Sequence, residues 1–303
     1  MQFFFKMDLR RIRKKLTKRL GLRAISDIVR FVKNANPPLW AEKQSRGFLN
    51  ASIYIALYLD VFRSSYSDII HDIQPWYTGS TMSLKHNQKV LRAIFAEWGK
   101  RYIQFRSIAA WERAKTKINV PKGLEDVDLW LDSTDISFTG KSSVSQKSSD
   151  WSYKENRPAQ RYMCMSDALG YVIRFWGGYS PKVYDGQFLT ITQNELNEDL
   201  RGATVIADTH FELGPHILPN VCFCTPYAAP RGKPPLNMKR VRVLTSDQEK
   251  WNRKVRRLRS RVELPFAKIK QTWGCLVPFF KEDKEQMDYV VTLAIGVHNF
   301  RKK

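Results

Sequence analysis

"LWLDST", residues 129–134, and "ATVIAD", residues 203–208, are short apolar runs that each lead into an aspartate. Runs of this length, bounded by polar turn formers, read as buried strands. Around them the chain alternates. "RYMCMSD" (161–167) and "YVIRFWGG" (171–178) read as strands joined by a hairpin turn at "DALG", and "DGQFLTITQNELNEDL" (185–200) reads as a helix. "VCFCTPY" (221–227) reads as another strand, and about 246–273 as a long basic helical region. Strand, strand, strand, helix, strand, strand, helix calls for a mixed α/β sheet.

Upstream the texture is different. Residues 1–50 read as a basic N-terminal arm and linker, ending in "NANPPLWAEKQ" (34–44), where Pro37 and Pro38 block a continuous helix. Residues 51–120 read as helical. "ASIYIALYLDVF" (51–62) repeats apolar residues at helical spacing, "SSYSDIIHDI" (64–73) opens on serine caps, and a third helix follows Gly79 with Lys85 near its start. Three short helices in this order resemble a helix-turn-helix, so this region is expected to bind DNA. Residues 125–303 then form the mixed α/β part of the chain.

Composition narrows the partners. The 303 residues include 43% hydrophobic side chains, with 17 Phe, 12 Tyr and 9 Trp, which indicates a folded chain rather than a disordered one. Lys and Arg number 51 against 29 Asp and Glu, a net charge of +22, and a polyanion is the partner that such a balance favours. DNA comes first. No membrane span is expected: the apolar part of "MQFFFKMDLRRIRKKLTKRL" (1–20) is too short to cross, although the segment has the character of a lipid-, phosphate- or import-directed basic arm. Cys164, Cys222, Cys224 and Cys275 lack zinc-ligand spacing and read as buried free thiols. "GKSS" (140–143) lacks the upstream glycine of a phosphate-binding loop, so nucleotide binding is not expected there. "TGKSSVSQKSSDWSYKENRPAQ" (139–160) and "APRGKPPLNMKRVRV" (229–243) read as solvated loops.

The chemistry rests on three acids. Asp132 and Asp208 lie at the carboxyl ends of two strands, where open α/β sheets leave a crevice. Two carboxylates side by side repel unless a cation neutralises them, and hard oxygen ligands suit Mg²⁺ or Mn²⁺. A third carboxylate would complete a two-metal site, and Glu263 is the candidate, an acid set within the basic "RSRVELPFAKIK" (259–270). Asp135 competes with Asp132, but an odd spacing along a strand puts the two on opposite faces. Asp167 reads as a turn residue and Asp185 as the N-cap of the following helix.

At these positions the chain resembles the DDE transposases of the Harbinger-related type, a group with bacterial insertion-sequence relatives. "DST" (132–134), "VIADTHF" (205–211) and "RSRVELPFAKIK" are similar to the family's three acidic motifs. Gly178 to Asp185 loosely matches a further Gly-x-x-x-Asp element, and the resemblance covers about 125–303. It implies a ribonuclease H-like catalytic domain in which Asp132, Asp208 and Glu263 are both catalytic residues and metal ligands, with two divalent ions, Mg²⁺ or Mn²⁺, as cofactor. It also implies cutting of DNA at transposon ends by water, then joining by the released 3′-hydroxyl in line, without a covalent protein intermediate. Pro265 departs from the usual helix, and some bacterial relatives resemble the chain in having it. Here it is expected to start or kink a helix that aims Glu263.

Arg253, Lys254, Arg256, Arg257, Arg259, Arg261, Lys268, Lys270 and Lys85 are the expected DNA contacts. A homo-oligomer and a separate DNA-binding accessory protein belong to the same expectation. Residence would be nuclear, from clusters such as "RRIRKK" (10–15), or cytoplasmic for a bacterial source. Two other readings remain open: a domesticated descendant that binds DNA without transposing, and another ribonuclease H-like metal nuclease that acts on RNA or branched DNA.

Overall fold

The computed structural model describes residues 2–35, 46–62, 81–104, 107–138, 148–228, 244–277 and 284–303. They form two compact units, one drawn from Met1–Gln104, Asp135–Gln160 and Ala267–Lys303, the other from Phe105–Thr134 and Arg161–Phe266. The helix expected at 64–73, the turn before residue 81, the linker prolines Pro37 and Pro38, and the loop 229–243 lie outside the described residues.

The first unit is helical: α1 (Gln2–Leu20), α2 (Leu22–Ala35), α3 (Arg46–Phe62), α4 (Thr81–Lys100) and α10 (Lys284–Phe300). Ile12, Leu16 and Leu20 recur every fourth residue on α1 and are buried, while Arg10, Arg11, Arg13, Lys14 and Lys18 are exposed. This is an amphipathic helix packed by one stripe. α3 is apolar nearly all round and correspondingly buried, from Ala51 to Val61. α4 packs on α10. Their backbones come so close that a Cβ on Gly99 would lie 2.6 Å from the Thr292 carbonyl oxygen, and one on Gly296 2.4 Å from the Gly99 Cα. Only glycine at both positions permits that approach.

Polar groups fix the register of this helical core. Asp60 of α3 is fully buried and takes hydrogen bonds from Gln88 and Arg92 of α4. Asp27 of α2 accepts from Trp98 Nε1 at 3.0 Å and from the Tyr102 hydroxyl at 2.7 Å. Burial pushes Tyr102 up to about 12, and its bond to Asp27 adds to the shift. Burial also pushes Asp27 up, but the two hydrogen bonds and the nearby charges of Arg30 and Arg101 outweigh it and leave Asp27 below the usual carboxylate value.

The second unit is mixed α/β. α5 (Ile108–Lys115) precedes β1 (Leu129–Ser137). β3 (Arg157–Ser166) and β4 (Val172–Tyr179) follow, then α6 (Asp185–Asp199), β5 (Thr204–Ile206), the short α7 (Gly214–Ile217), β6 (Cys222–Cys224) and α8 (Ser246–Arg259). β2 (Trp151–Ser152) belongs to the first unit, where it pairs with the first residues of β3. In the second unit β4 is antiparallel to β3, β3 neighbours β1, and β1, β5 and β6 run parallel. The hairpin turn forms at "DALG". Asp167 accepts from the Leu169 and Tyr171 amides, and Gly170 takes a positive φ of 72°. β5 and β6 hold only three residues each, because both give way at once to loops that carry polar side chains.

Side chains on the two faces of this sheet form two cores. Leu129, Leu131, Val205 and Phe211 join Phe188, Leu189 and Leu196 of α6 on one face. Trp130 and Ile206 join Val255 and Leu258 of α8 on the other. α8 therefore lies on the sheet by Asn252, Val255 and Leu258, with Arg253, Lys254, Arg256 and Arg257 exposed. The cysteines are free, but only Cys164 and Cys275 are buried; Cys222 is exposed and Cys224 half-buried, because β6 is partly open at those positions. No helix among the described residues is long and apolar enough to cross a membrane.

Candidate active site

Parallel pairing sets the first two acids side by side. Leu129 is opposite Val205 and Trp130 opposite Ile206, the same offset that separates Asp132 from Asp208. The pairing is pinned from below by Asp128, which accepts from the Thr204 amide at 3.0 Å and from Lys115 Nζ at 2.9 Å. Beyond Ile206 the chain turns into a short 3-10 helix, Thr209–Phe211, anchored by the buried Phe211 and capped by Asp208 itself. One oxygen of each aspartate is held locally. Asp132 Oδ1 accepts from the Ser133 amide at 2.9 Å, and Asp208 Oδ1 from the Thr209 amide at 2.7 Å.

The third acid belongs to the same unit and follows α8. α8 ends at Arg259, a 3-10 turn covers Ser260–Val262, and α9 (Glu263–Thr272) starts at Glu263. Pro265 is the third residue of α9, where its missing N–H breaks no intrahelical bond, so it marks a helix start as its position in the sequence leads one to expect. Glu263 is the first residue of that helix and its side chain is 60% exposed.

A single guanidinium joins the three carboxylates. Arg259 Nη1 lies 3.7 Å from Asp132 Oδ2 and 3.6 Å from Asp208 Oδ2, and its Nη2 lies 3.8 Å from Glu263 Oε1. The acids are gathered round the arginine rather than directly round one another. Among the described residues no group of three or more His, Cys, Asp or Glu is placed to hold a metal ion in this arrangement. The donor set nevertheless suits one: Asp132 Oδ2 and Asp208 Oδ2 both approach one cationic nitrogen, and carboxylate oxygens are the ligands that Mg²⁺ and Mn²⁺ take.

Trp130 and Asn252, which lie outside the three acidic motifs, hold the elements around this cluster. Trp130 of β1 is fully buried and donates from Nε1 to the Leu258 carbonyl at 2.9 Å, tying the strand to the last turn of α8, one residue before Arg259. Nothing in the local sequence announces a partner so far along the chain; the only hint is an indole within an apolar strand, since a buried Trp N–H requires an acceptor. Asn252 holds the start of the loop after β6 by two bonds to the Tyr227 backbone. Asp185 is not the N-cap of α6. That position belongs to Tyr184, and Asp185 is the first helical residue. Its carboxylate is drawn elsewhere, to the Ser133 hydroxyl at 2.6 Å and to Arg161 Nη1 at 3.8 Å, so it braces the residue that follows Asp132.

Replacing Trp130 by Phe keeps an aromatic ring but removes the buried N–H that ties β1 to the Leu258 carbonyl, leaving that oxygen only the local Ser260 amide. The expected loss is about 1–3 kcal/mol, read as a lower unfolding midpoint. An unchanged midpoint would show that the carbonyl finds another donor.

Lys254 donates to the Lys122 carbonyl at 2.8 Å. Arg261 is half-buried, while Lys268 and Lys85 are exposed. Lys270 is largely enclosed and donates to the Asp135 carbonyl at 2.9 Å, with Glu155 4.0 Å away; burial holds its ammonium below the usual lysine value. Asp135 is buried and accepts from the Ser152 hydroxyl at 2.6 Å. Burial, and to a lesser degree the charge of Asp132, pushes the Cys164 thiol up, which keeps it protonated and unreactive.

No curated protein and no solved structure matches the chain. Residues 131–299 match the model of one family, described as DDE superfamily endonuclease.

Proposed function

We propose that this chain, which belongs to the DDE superfamily endonucleases, cuts DNA at transposon ends and joins the released 3′-hydroxyl to a target. The observation that carries the reading is the convergence of Asp132, Asp208 and Glu263, from two adjacent strands and the start of a helix, on one cationic centre. The strand order supports the ribonuclease H-like reading of the second unit: an antiparallel pair beside three parallel strands, with Asp132 inside β1, which runs on past it rather than ending there, and Asp208 just beyond the neighbouring β5. Two divalent ions, held by Asp132, Asp208 and Glu263, would supply the charge stabilisation that phosphodiester hydrolysis demands.

The protein's own contribution is placement. The Ser133 and Thr209 amides hold one oxygen of each aspartate in a fixed direction, so the carboxylates meet a cation without reorganising. Trp130 and Asp185 brace the two sides of that arrangement. Arg253, Lys254, Arg256 and Arg257 on the outer face of α8 would track the DNA backbone beside the acids. Strand transfer would use paired copies of the chain, with an accessory protein to select the end sequence. Nuclear residence follows for a eukaryotic source.

The test is incubation of the purified protein with DNA that carries the repeats flanking its own gene, in Mg²⁺, Mn²⁺ or EDTA. Cuts at the repeat ends that require metal are expected, and binding without cutting in either metal would favour a domesticated binder. Backbone contacts also predict a steep salt response. Each phosphate neutralised contributes a slope of about −0.9 in log K against log salt, so Arg256→Ala with Arg257→Ala should flatten the slope by up to about 2. An unchanged slope would remove α8 from the DNA interface.

A further inference from the structure

The guanidinium of Arg259 occupies the position toward which the three acids converge, and this has a consequence for metal loading. Arg259 is the last residue of α8, and the Leu258 carbonyl just before it is fixed by Trp130. The backbone is thus held while the long side chain is free to take more than one rotamer. In the observed rotamer it reaches Asp132, Asp208 and Glu263 within 3.6–3.8 Å, and its own side chain is only 21% exposed. Three carboxylates around one guanidinium leave the cluster net negative, so the site still attracts cations. A divalent ion held by Asp132 and Asp208, however, would compete for the same carboxylate oxygens that face this guanidinium. Two cations drawn to the same oxygens repel.

We infer that Arg259 is the resident counter-ion of the carboxylate cluster and that metal must displace it, so that metal binding and the inward pose of Arg259 exclude one another. The inference rests on the reading of Asp132, Asp208 and Glu263 as the metal site. It makes Arg259 a positioning residue with two states. Without metal it offsets part of the acids' charge and holds the end of α8 against β1 and β5. With metal it swings out, toward the side of α8 that carries Arg256 and Arg257. Metal loading thereby adds a mobile cation to the basic surface at the moment the acids become occupied. Competition of this kind lowers the apparent metal affinity by the free energy of the arginine contacts, and by reciprocity metal weakens those contacts by the same factor.

The experiment is Mn²⁺ titration by calorimetry on the full-length protein without DNA, for the wild type, Arg259→Gln, Arg259→Lys and Asp208→Asn. Thermal unfolding in EDTA and in Mn²⁺ is recorded alongside. Arg259→Gln is expected to bind Mn²⁺ at least about tenfold more tightly than wild type, within the usual 5- to 150-fold range of such couplings. It should also unfold at a lower temperature in EDTA and gain more from Mn²⁺ than the wild type does. Arg259→Lys, which keeps the charge but cannot fork to several carboxylates, should fall between the two. It also carries the test should the glutamine variant fail to fold. Equal Mn²⁺ affinity in wild type and in the foldable variants would overturn the inference while leaving the metal site in place. Absence of Mn²⁺ binding in every protein, or binding unaffected by Asp208→Asn, would overturn the metal-site reading and the inference with it.

Discussion

Asp208→Asn is expected to abolish metal-dependent DNA cleavage, by a factor on the order of 10³ or more, corresponding to about 4 kcal/mol of transition-state stabilisation. The change is nearly isosteric. It preserves an acceptor for the Thr209 amide, which now holds Asp208 Oδ1, and so should leave the 3-10 helix and the fold intact. What it removes is the negative charge, and with it the pairing of two like charges on neighbouring strands that makes the site attractive to a cation. Asp132→Asn and Glu263→Gln should act in the same direction, while DNA binding stays close to wild type. The assay is cleavage of end-labelled repeat DNA in Mg²⁺, run beside a gel-shift measurement of binding. A variant that cuts at the wild-type rate would take its residue out of the site. Loss of binding together with cutting would instead place that acid in folding.

Arg92→Leu is expected to produce the largest loss of stability, about 3–5 kcal/mol. Asp60 is fully buried on α3, and Arg92 on α4 is its cationic partner, with Gln88 giving a further hydrogen bond at 2.9 Å. With Arg92 gone, a carboxylate remains in the core with only a neutral donor among these partners. Against a typical total stability of about 5–15 kcal/mol, that is a large share. Substituting both residues, Asp60→Leu with Arg92→Leu, should recover much of the loss, since a buried pair replaced by apolar groups is often neutral. Denaturant unfolding of the wild type, the single variant and the double variant separates the two effects. A single-variant cost below about 1 kcal/mol would mean that Asp60 finds another partner or water.

Both predictions depend on features of unequal visibility in the sequence. The strands around Asp132 and Asp208, the hairpin at Asp167 and the helix that begins at Asp185 were legible because apolar run length and turn chemistry are local properties. Equally legible was the role of Pro265, since the absence of an amide hydrogen allows few positions in a helix. The buried pair of Asp60 and Arg92 was not. Each residue alone reads as an ordinary charge on an amphipathic helix, and only the packing of α3 against α4 brings them together. Asp185 shows the reverse error: its position before a helix reads as a cap, whereas Ser133 and Arg161, both distant in sequence, claim its carboxylate.

By itself the sequence determined the class of this protein: a basic, folded chain with three acids in an order and a local setting that resemble those of DDE nucleases. These follow from composition and from short-range periodicity, which need no knowledge of what lies nearby. Only the tertiary structure decided that Asp132 and Asp208 share a register, that Trp130 ties β1 to the end of α8, and that Arg259, one of several arginines in a row, is the one that faces all three carboxylates. The physical reason is that a cationic side chain on a helix reads the same whether it points to solvent or inward. Its direction is set by the burial of Val255 and Leu258 against the sheet, and that packing is a property of the whole unit.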